Sequence, residues 1–355
     1  MRFAGKVWKL LVGIKDGLVL LFMLLFFALL YAAMTARPTL GAGDRGALLL
    51  QLDGPIVEQP AQPTASELFS GGGPRAYRLR DVVHSLEVAA TDDRVKAVAL
   101  DLDIFSGGGQ ATLSSVGEAL DAVRKAGKPV LAYATAYDDD SYMLAAHATE
   151  LWLNPMGGVL VTGPGGASLY MKGLLDKLGV TANIYRAGTY KAATEPLTRT
   201  DMSPEARQAL TAVYASMWES WQQEVRRARP KARLDPYIAD MPGQIAAAGG
   251  DMAQAALRAG LVDRVGEREA FDRRVADIAG TRYSEVPGSF RRIEYKKWVE
   301  ANPASDSGGE IGVVTVAGDI VDGEANLGTA GAETIVRALE RGLRERNLKA
   351  LVVRI

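Results

Sequence analysis

The 355-residue chain has no cysteine and only two histidines, His84 and His147. The first absence excludes disulfides, thiolate nucleophiles and cysteine-held zinc. The second leaves few imidazoles for acid–base work, and His84 and His147 both read as packing or surface residues on helical patterns. Strong net charge is also missing. Lysine and arginine (41) nearly balance aspartate and glutamate (42), a net charge of -1, so nothing favours nucleic acid as a partner. There is no G-x-x-x-x-G-K-[ST] phosphate loop. The trio Asp138, Asp139 and Asp140 lacks further ligands at metal spacing and reads as a solvated turn. No cofactor and no metal is expected.

One long uncharged run is present. Gly17 to Ala36 is free of charge, and as a helix it matches a bilayer core of about 30 Å. Arg2, Lys6, Lys9 and Lys15 precede it, with Asp16 as the single acid, and Arg37 and Pro38 follow. The run exceeds the apolar region of a cleaved signal peptide and lacks small-x-small flanks. It reads as an uncleaved anchor. The basic segment 1–16 is then cytoplasmic and everything after residue 40 lies on the far side of the membrane.

Beyond the anchor, short apolar runs alternate with helical periodicity. Ala47–Leu52, Val95–Leu102, Val130–Ala134 and Leu151–Leu153 read as strands. Leu79–Ala90, Leu113–Ala126, Tyr142–Ala148 and Leu169–Leu178 read as helices. The alternation implies an α/β fold with mainly parallel pairing. Residues 58–75 read as a surface loop and Val180–Tyr185 as a further strand. Ser203-Pro204-Glu205 is a helix start, with an N-cap serine and proline at the first helical position. Leu210, Val213, Met217, Trp221 and Val225 mark one face of that helix, expected to face the core. Gln244–Gly260 reads as one more helix.

The sequence then starts again. The stretch from Ala47 (ALLLQLDGPIVEQP) compares with that from Ile311 (IGVVTVAGDIVDGE), and Val95–Leu102 with Leu348–Ile355, each second element preceded by a helical pattern. Such order argues for a tandem duplication. The first unit is expected over 45–280, a linker with a solvated basic face (Arg291, Arg292, Lys296, Lys297) over 281–309, and the start of a second, truncated unit over 310–355. A half-unit ending on a central strand would expose edges, so the sequence is expected to be the N-terminal part of a longer protein.

Between a glycine turn and a proline lies Lys191, in Gly188-Thr189-Tyr190-Lys191-Ala192-Ala193-Thr194-Glu195-Pro196. This stretch, together with Tyr185-Arg186-Ala187 before it, Leu174 to Val180, Asp201-Met202-Ser203-Pro204, the anchor and the duplication, resembles the long, two-repeat form of signal peptide peptidase A. The resemblance covers essentially all of 1–355. It implies a ClpP/crotonase-like tandem repeat behind one transmembrane helix, and a membrane-bound serine peptidase with a Ser/Lys dyad. Lys191 matches the family's lysine base. The serine nucleophile belongs to the second repeat, in an A-S-G-G-Y type turn. In the first repeat that slot falls on Asp139, with Ser141 two positions away, so the nucleophile is expected roughly 37 residues past Ile355 if the repeats align without gaps. Gly107 to Gly109 match the family's oxyanion-type turn in the first repeat. Peptide substrates, the membrane and self-association as a homo-oligomer are the partners implied. Two other readings stay open: a non-catalytic membrane-anchored scaffold, and a crotonase-type acyl-CoA enzyme on the same fold.

Overall fold

The computed structural model describes residues 2–35, 45–61, 76–305, 309–345 and 348–355. Two compact units emerge, 1–41 and 42–355. The first is helix α1, Arg2–Thr35. The basic segment and the apolar run are therefore one continuous helix as far as Thr35; Ala36 lies outside the described residues. Leu11–Tyr31 is long and apolar enough to cross a membrane, with a mean hydropathy of 2.2.

The second unit is built on a six-stranded sheet. Its strands are β1 (Gly46–Gln51), β2 (Val95–Asp101), β3 (Val130–Ala134), β4 (Glu150–Leu153), β5 (Arg264–Val265) and β6 (Arg292–Glu294). Their spatial order is β5-β4-β3-β2-β1-β6, and every pairing is parallel. Parallel strands covered on both faces need apolar residues throughout, as β1 and β3 have. Ala47, Leu49, Ala97, Ala99, Leu131, Tyr133 and Trp152 face one way and pack with Phe271, Val275 and Ala279 of helix α6 (Arg268–Ala279). Three alanines in that layer let the helix approach closely. The alternate residues, among them Leu48, Leu50, Val98 and Leu100, are fully buried on the other face. Helices α2 (Leu79–Thr91) and α3 (Gln110–Lys125) bury Val82, Leu86, Leu113, Leu120 and Val123. Helix α4 (Asp139–Ala145) and the long α5 (Pro204–Ala228) complete this part.

Four local expectations are corrected. Val180–Tyr185 forms no strand; Gly179, at φ +68°, ends the short helix Lys172–Lys177, and the chain continues as exposed irregular backbone. Gln244–Gly260 is not one helix, because Gly249 and Gly250 both take positive φ and separate Met241–Ala247 from Met252–Arg258. On α5, Trp221 and Val225 are buried, but Val213 and Met217 are 55% and 41% exposed, so the apolar stripe is only half covered. The stretch expected as a linker supplies β6, paired to β1, and helix α7 (Tyr295–Ala301). Trp298 of α7 is fully buried and donates its indole N–H to Ser85 O at 3.0 Å. The basic side chains Arg291, Arg292, Lys296 and Lys297 are exposed, as expected. Of the expected surface loop, 62–75 lies outside the described residues.

Residues 311–354 repeat an order already seen. Strand β7 (Ile311–Thr315) pairs in parallel with β8 (Ala350–Arg354), and helix α8 (Ala332–Glu345) precedes β8. Between them Asp319–Val321 pairs in parallel with Thr329–Gly331. Earlier in the same unit β1 pairs with β2 behind α2, and Ile56–Val57 pairs in parallel with Tyr77–Arg78. The second copy of this pattern is largely uncovered: Val313, Val352 and Val353 are about half exposed or more.

Candidate active site

Parallel α/β sheets collect ligands beyond the carboxyl ends of their strands. Here that edge gathers the turns after β1, β2, β3 and β4. They are joined by bridges from Ile56 to Gly108 and from Tyr137 to Val159. Gly107, in the turn after β2, takes φ +86°, and a Cβ there would lie 2.3 Å from an Asp140 carboxylate oxygen. Only glycine fits that approach. The next N–H, of Gly108, donates to Asp140 Oδ2 at 3.1 Å. The donor that an oxyanion-type turn would aim at substrate is therefore occupied by a carboxylate of this chain. Burial, with Asp138 and Asp139 adding repulsion, pushes the Asp140 carboxyl up, while the Gly108 N–H works against this.

The acidic trio is a structured turn. Asp138 caps α4: its carboxylate accepts from Ser141 N at 2.8 Å, and its own N–H donates to Ser141 Oγ at 2.9 Å. This reciprocal cap buries Ser141 and consumes its hydroxyl, which also donates to Asp138 Oδ1 at 2.5 Å. Asp139 occupies the slot where the resemblance puts a nucleophile. Its carboxylate accepts from Thr162 Oγ1 (2.8 Å), Thr162 N and Gly163 N, and its carbonyl accepts from Trp221 Nε1 at 2.8 Å. Neither residue is a free nucleophile. Burial raises the Tyr137 and Tyr142 hydroxyls, which stay neutral and donate to Trp152 O and Leu261 O.

Lys191 sits in a separate loop. Gly188, at φ +104°, opens the turn, and Lys191 N donates to Gly188 O at a long 3.4 Å. The lysine side chain is exposed, and its Nζ has no hydrogen-bond or ion-pair partner among the described residues. The structure does not bring Lys191 to Ser141 or Asp139 by any hydrogen bond. The second half of the motif is buried. Glu195 is 2% exposed and accepts from Ser203 N at 3.0 Å and Ser203 Oγ at 2.5 Å. Ser203 Oγ in turn accepts from Ala206 N at 3.1 Å, capping α5. These two hydrogen bonds, with Arg199 and Arg186 nearby, hold the Glu195 carboxyl below its ordinary value. Helix α5 then returns to the glycine turn, where Gln110 Nε2 donates to Met217 O at 3.0 Å.

The buried Glu195 was not singled out in the sequence. Glu195 could have been found by asking what an acid inside a Thr-Glu-Pro turn pairs with. His147, read in the sequence as a packing or surface residue, is a packing residue. It is fully buried, with Nδ1 3.1 Å from Asp121 Oδ1 on α3 and Nε2 3.1 Å from Glu224 Oε1 on α5. His84 lies at the surface of α2, 3.8 Å from Glu87.

Residues 122–281 match the model of peptidase family S49. Protease 4 of Haemophilus influenzae is 33% identical over 98% of this chain and 58% of its own length. Protease 4 of Salmonella typhi is 32% identical over 99% of this chain and 59% of its own. The chain thus spans less than two thirds of the curated relatives it matches. Among solved structures, an enoyl-CoA hydratase/isomerase family protein from Silicibacter pomeroyi is 17% identical, with a TM-score of 0.30 over 65% of this chain and 79% of its own. A variant of the 1510-N membrane-bound stomatin-specific protease, in complex with a substrate peptide, is 10% identical, with a TM-score of 0.31 over 70% and 91%. By these sequence matches, residues 122–281 carry a peptidase family S49 domain, in a chain similar to Protease 4 along nearly all of its length.

Proposed function

We propose that this protein is a membrane-anchored serine endopeptidase in which Lys191 is the general base of a Ser/Lys dyad, on a ClpP/crotonase-like tandem scaffold. One observation carries the reading: the near-complete match to two Protease 4 sequences runs through the Gly188–Pro196 loop. The nucleophile is a serine in the part of the relatives' length that this chain does not span. In support, Ser141 is consumed by its cap and the nucleophile slot holds Asp139. The first unit spans 45–280 extended by β6 and α7, and 310–355 begin the second. Their shared order of parallel pairs supports this division.

The chemistry follows from a neutral amine. Lys191 takes the proton from the serine hydroxyl as its oxygen bonds to the peptide carbonyl carbon. The C–N bond then breaks, and the lysine ammonium returns the proton to the leaving amine. Water repeats the sequence on the acyl-enzyme. A neutral lysine near pH 7 needs an apolar cover. Leu197 and, on the segment hydrogen-bonded to it through Met171 N and Pro196 O, Met171 and Leu174 are exposed apolar side chains that such a cover would meet. The Gly107–Gly109 turn, filled by Asp140, is structural in this unit, and the working oxyanion hole belongs to the second.

The substrates are cleaved signal peptides and similar apolar peptides. Arg2, Lys6, Lys9 and Lys15 ahead of the span put the N-terminus in the cytoplasm and the bulk at the periplasmic face of the inner membrane. The resemblance extends to self-association as a homo-oligomer. The test uses the full-length protein with a fluorophosphonate probe. Labelling of one serine that Lys191→Ala abolishes, with an unchanged melting temperature, supports the reading. Labelling that survives Lys191→Ala contradicts it.

A further inference from the structure

Lys191 has an exposed side chain, yet its main chain is held. Arg186 Nη1 donates to Lys191 O at 3.3 Å, and the same nitrogen lies 3.6 Å from Glu195 Oε1. Glu195 Oε1 is also the oxygen that accepts the Ser203 hydroxyl. One guanidinium therefore links the lysine's own carbonyl to a buried carboxylate. That carboxylate is tied to the N-cap of a 25-residue helix. The far part of this helix is buried through Trp221 and Val225, and Trp221 holds the carbonyl of Asp139.

Elsewhere the loop is closed by main-chain bonds from Ala192 N to Tyr190 O (3.0 Å) and from Glu195 N to Ala192 O (2.9 Å). Gly188 is exposed at a left-handed φ, and the Lys191 N–H bond is long. The lysine's own N–H is thus the weakly held point of an otherwise bonded turn. A base must be held within hydrogen-bond reach of the hydroxyl it deprotonates, and a misplacement of about 1 Å can cost ~10²-fold. The guanidinium is suited to the task because it stays charged at any working pH. Its contact with Glu195, at 3.6 Å, is an ion pair, and its hydrogen bond goes to Lys191 O. Arg186 is itself partly exposed (side chain 43%), so it is not there to fill the core.

We propose that Arg186 is a positioning residue, fixing the backbone of Lys191 to the Glu195–Ser203 cap and so placing the general base. The proposal rests on the reading of Lys191 as that base. The test is steady-state hydrolysis of a quenched-fluorescence apolar peptide by the full-length protein, with Arg186→Ala, Arg186→Lys, Glu195→Gln and Lys191→Ala. Arg186→Ala lowers kcat about tenfold or more with KM changed less than about threefold, as expected when orientation and not binding is lost. Guanidinium ion at non-denaturing concentration restores part of that loss in Arg186→Ala and none in Lys191→Ala. Arg186→Lys, which can still put one nitrogen between the two oxygens, keeps more activity than Arg186→Ala. Glu195→Gln keeps an acceptor for Ser203 and reproduces the kcat loss in a folded protein. A merely structural arginine would lower the melting temperature without a kcat-specific loss or guanidinium rescue. Inactive Lys191→Ala beside an Arg186→Ala with wild-type kcat overturns the proposal alone. An active Lys191→Ala overturns the reading beneath it, and the proposal with it.

Discussion

Glu195 accepts both polar hydrogens of Ser203, the backbone N–H at 3.0 Å and the hydroxyl at 2.5 Å. The acid of the lysine motif and the cap of α5 are thus one unit, although seven residues separate them. Removing the hydroxyl takes away the cap on Ala206 N and one of the two donors on a buried carboxylate. Ser203→Ala should lose about 1 kcal/mol for the cap alone. Urea titration checks it, with Ser203→Thr expected to retain most of the stability.

Trp298 tests whether 292–301 belongs to the sheet. The residue is fully buried, donates to Ser85 O and lies under the Arg94 guanidinium at 5.6 Å. Trp298→Ala should destabilise the unit by about 3–5 kcal/mol. Limited proteolysis should then cut near 281–305 ahead of the rest. A loss below 1 kcal/mol would make this stretch a linker after all.

Strands β1 to β4 and helices α2 to α5 were legible in the sequence because they obey local rules. Buried parallel strands are apolar throughout, and Ser203-Pro204 names its own helix start. Elements set by distant partners were not legible. β6 has only three residues, and the pairing with β1 makes it a strand. Trp298 lies in the stretch expected as a basic linker, and its burial depends on the distant Ser85 carbonyl that accepts its indole N–H. Lys191 was found by its motif, but its surroundings were not. Sequence chemistry asks for a desolvated amine, and these residues leave it in solvent. That His147 packs was legible, but its two carboxylate neighbours were not, because they lie 26 residues before it and 77 after it.

That histidine is closely packed. A Cβ on Gly117 of α3 would lie 2.5 Å from His147 Nε2, the atom that faces Glu224. Gly117→Ala should push the imidazole off its position and cost about 1–3 kcal/mol. Thermal denaturation measures the loss. Gly127→Ala is no neutral control, because Gly127 takes φ +82°; Gly165→Ala, in open space, is the comparison.

Acid should unfold the 42–355 unit through particular pairs. Arg274 holds Glu150 below its ordinary value, with bonds of 2.9 and 3.1 Å from Nε, and Arg94 does the same for Asp92. A depressed folded-state pKa gives stability that is complete above the unfolded value and lost as pH falls through the folded one. Asp140 has the opposite sign: its pKa is raised by burial, so its charge costs stability above the folded value and acid relieves that cost. The melting temperature should fall from about pH 5 to about pH 3. Glu150→Gln should flatten that fall. Asp140→Asn should steepen it and raise the melting temperature at pH 7. Reversed signs for the two variants would contradict these assignments.

The most direct test of the account is the pH dependence of serine labelling in the full-length protein, comparing wild type, Lys191→Ala and Lys191→Arg. With Lys191 as the base, labelling at every pH depends on its amine. Both variants, one without an amine and one that stays protonated, fall by a factor of about 10² or more. A Lys191→Arg protein that labels at the wild-type rate would show that the proton leaves by another route.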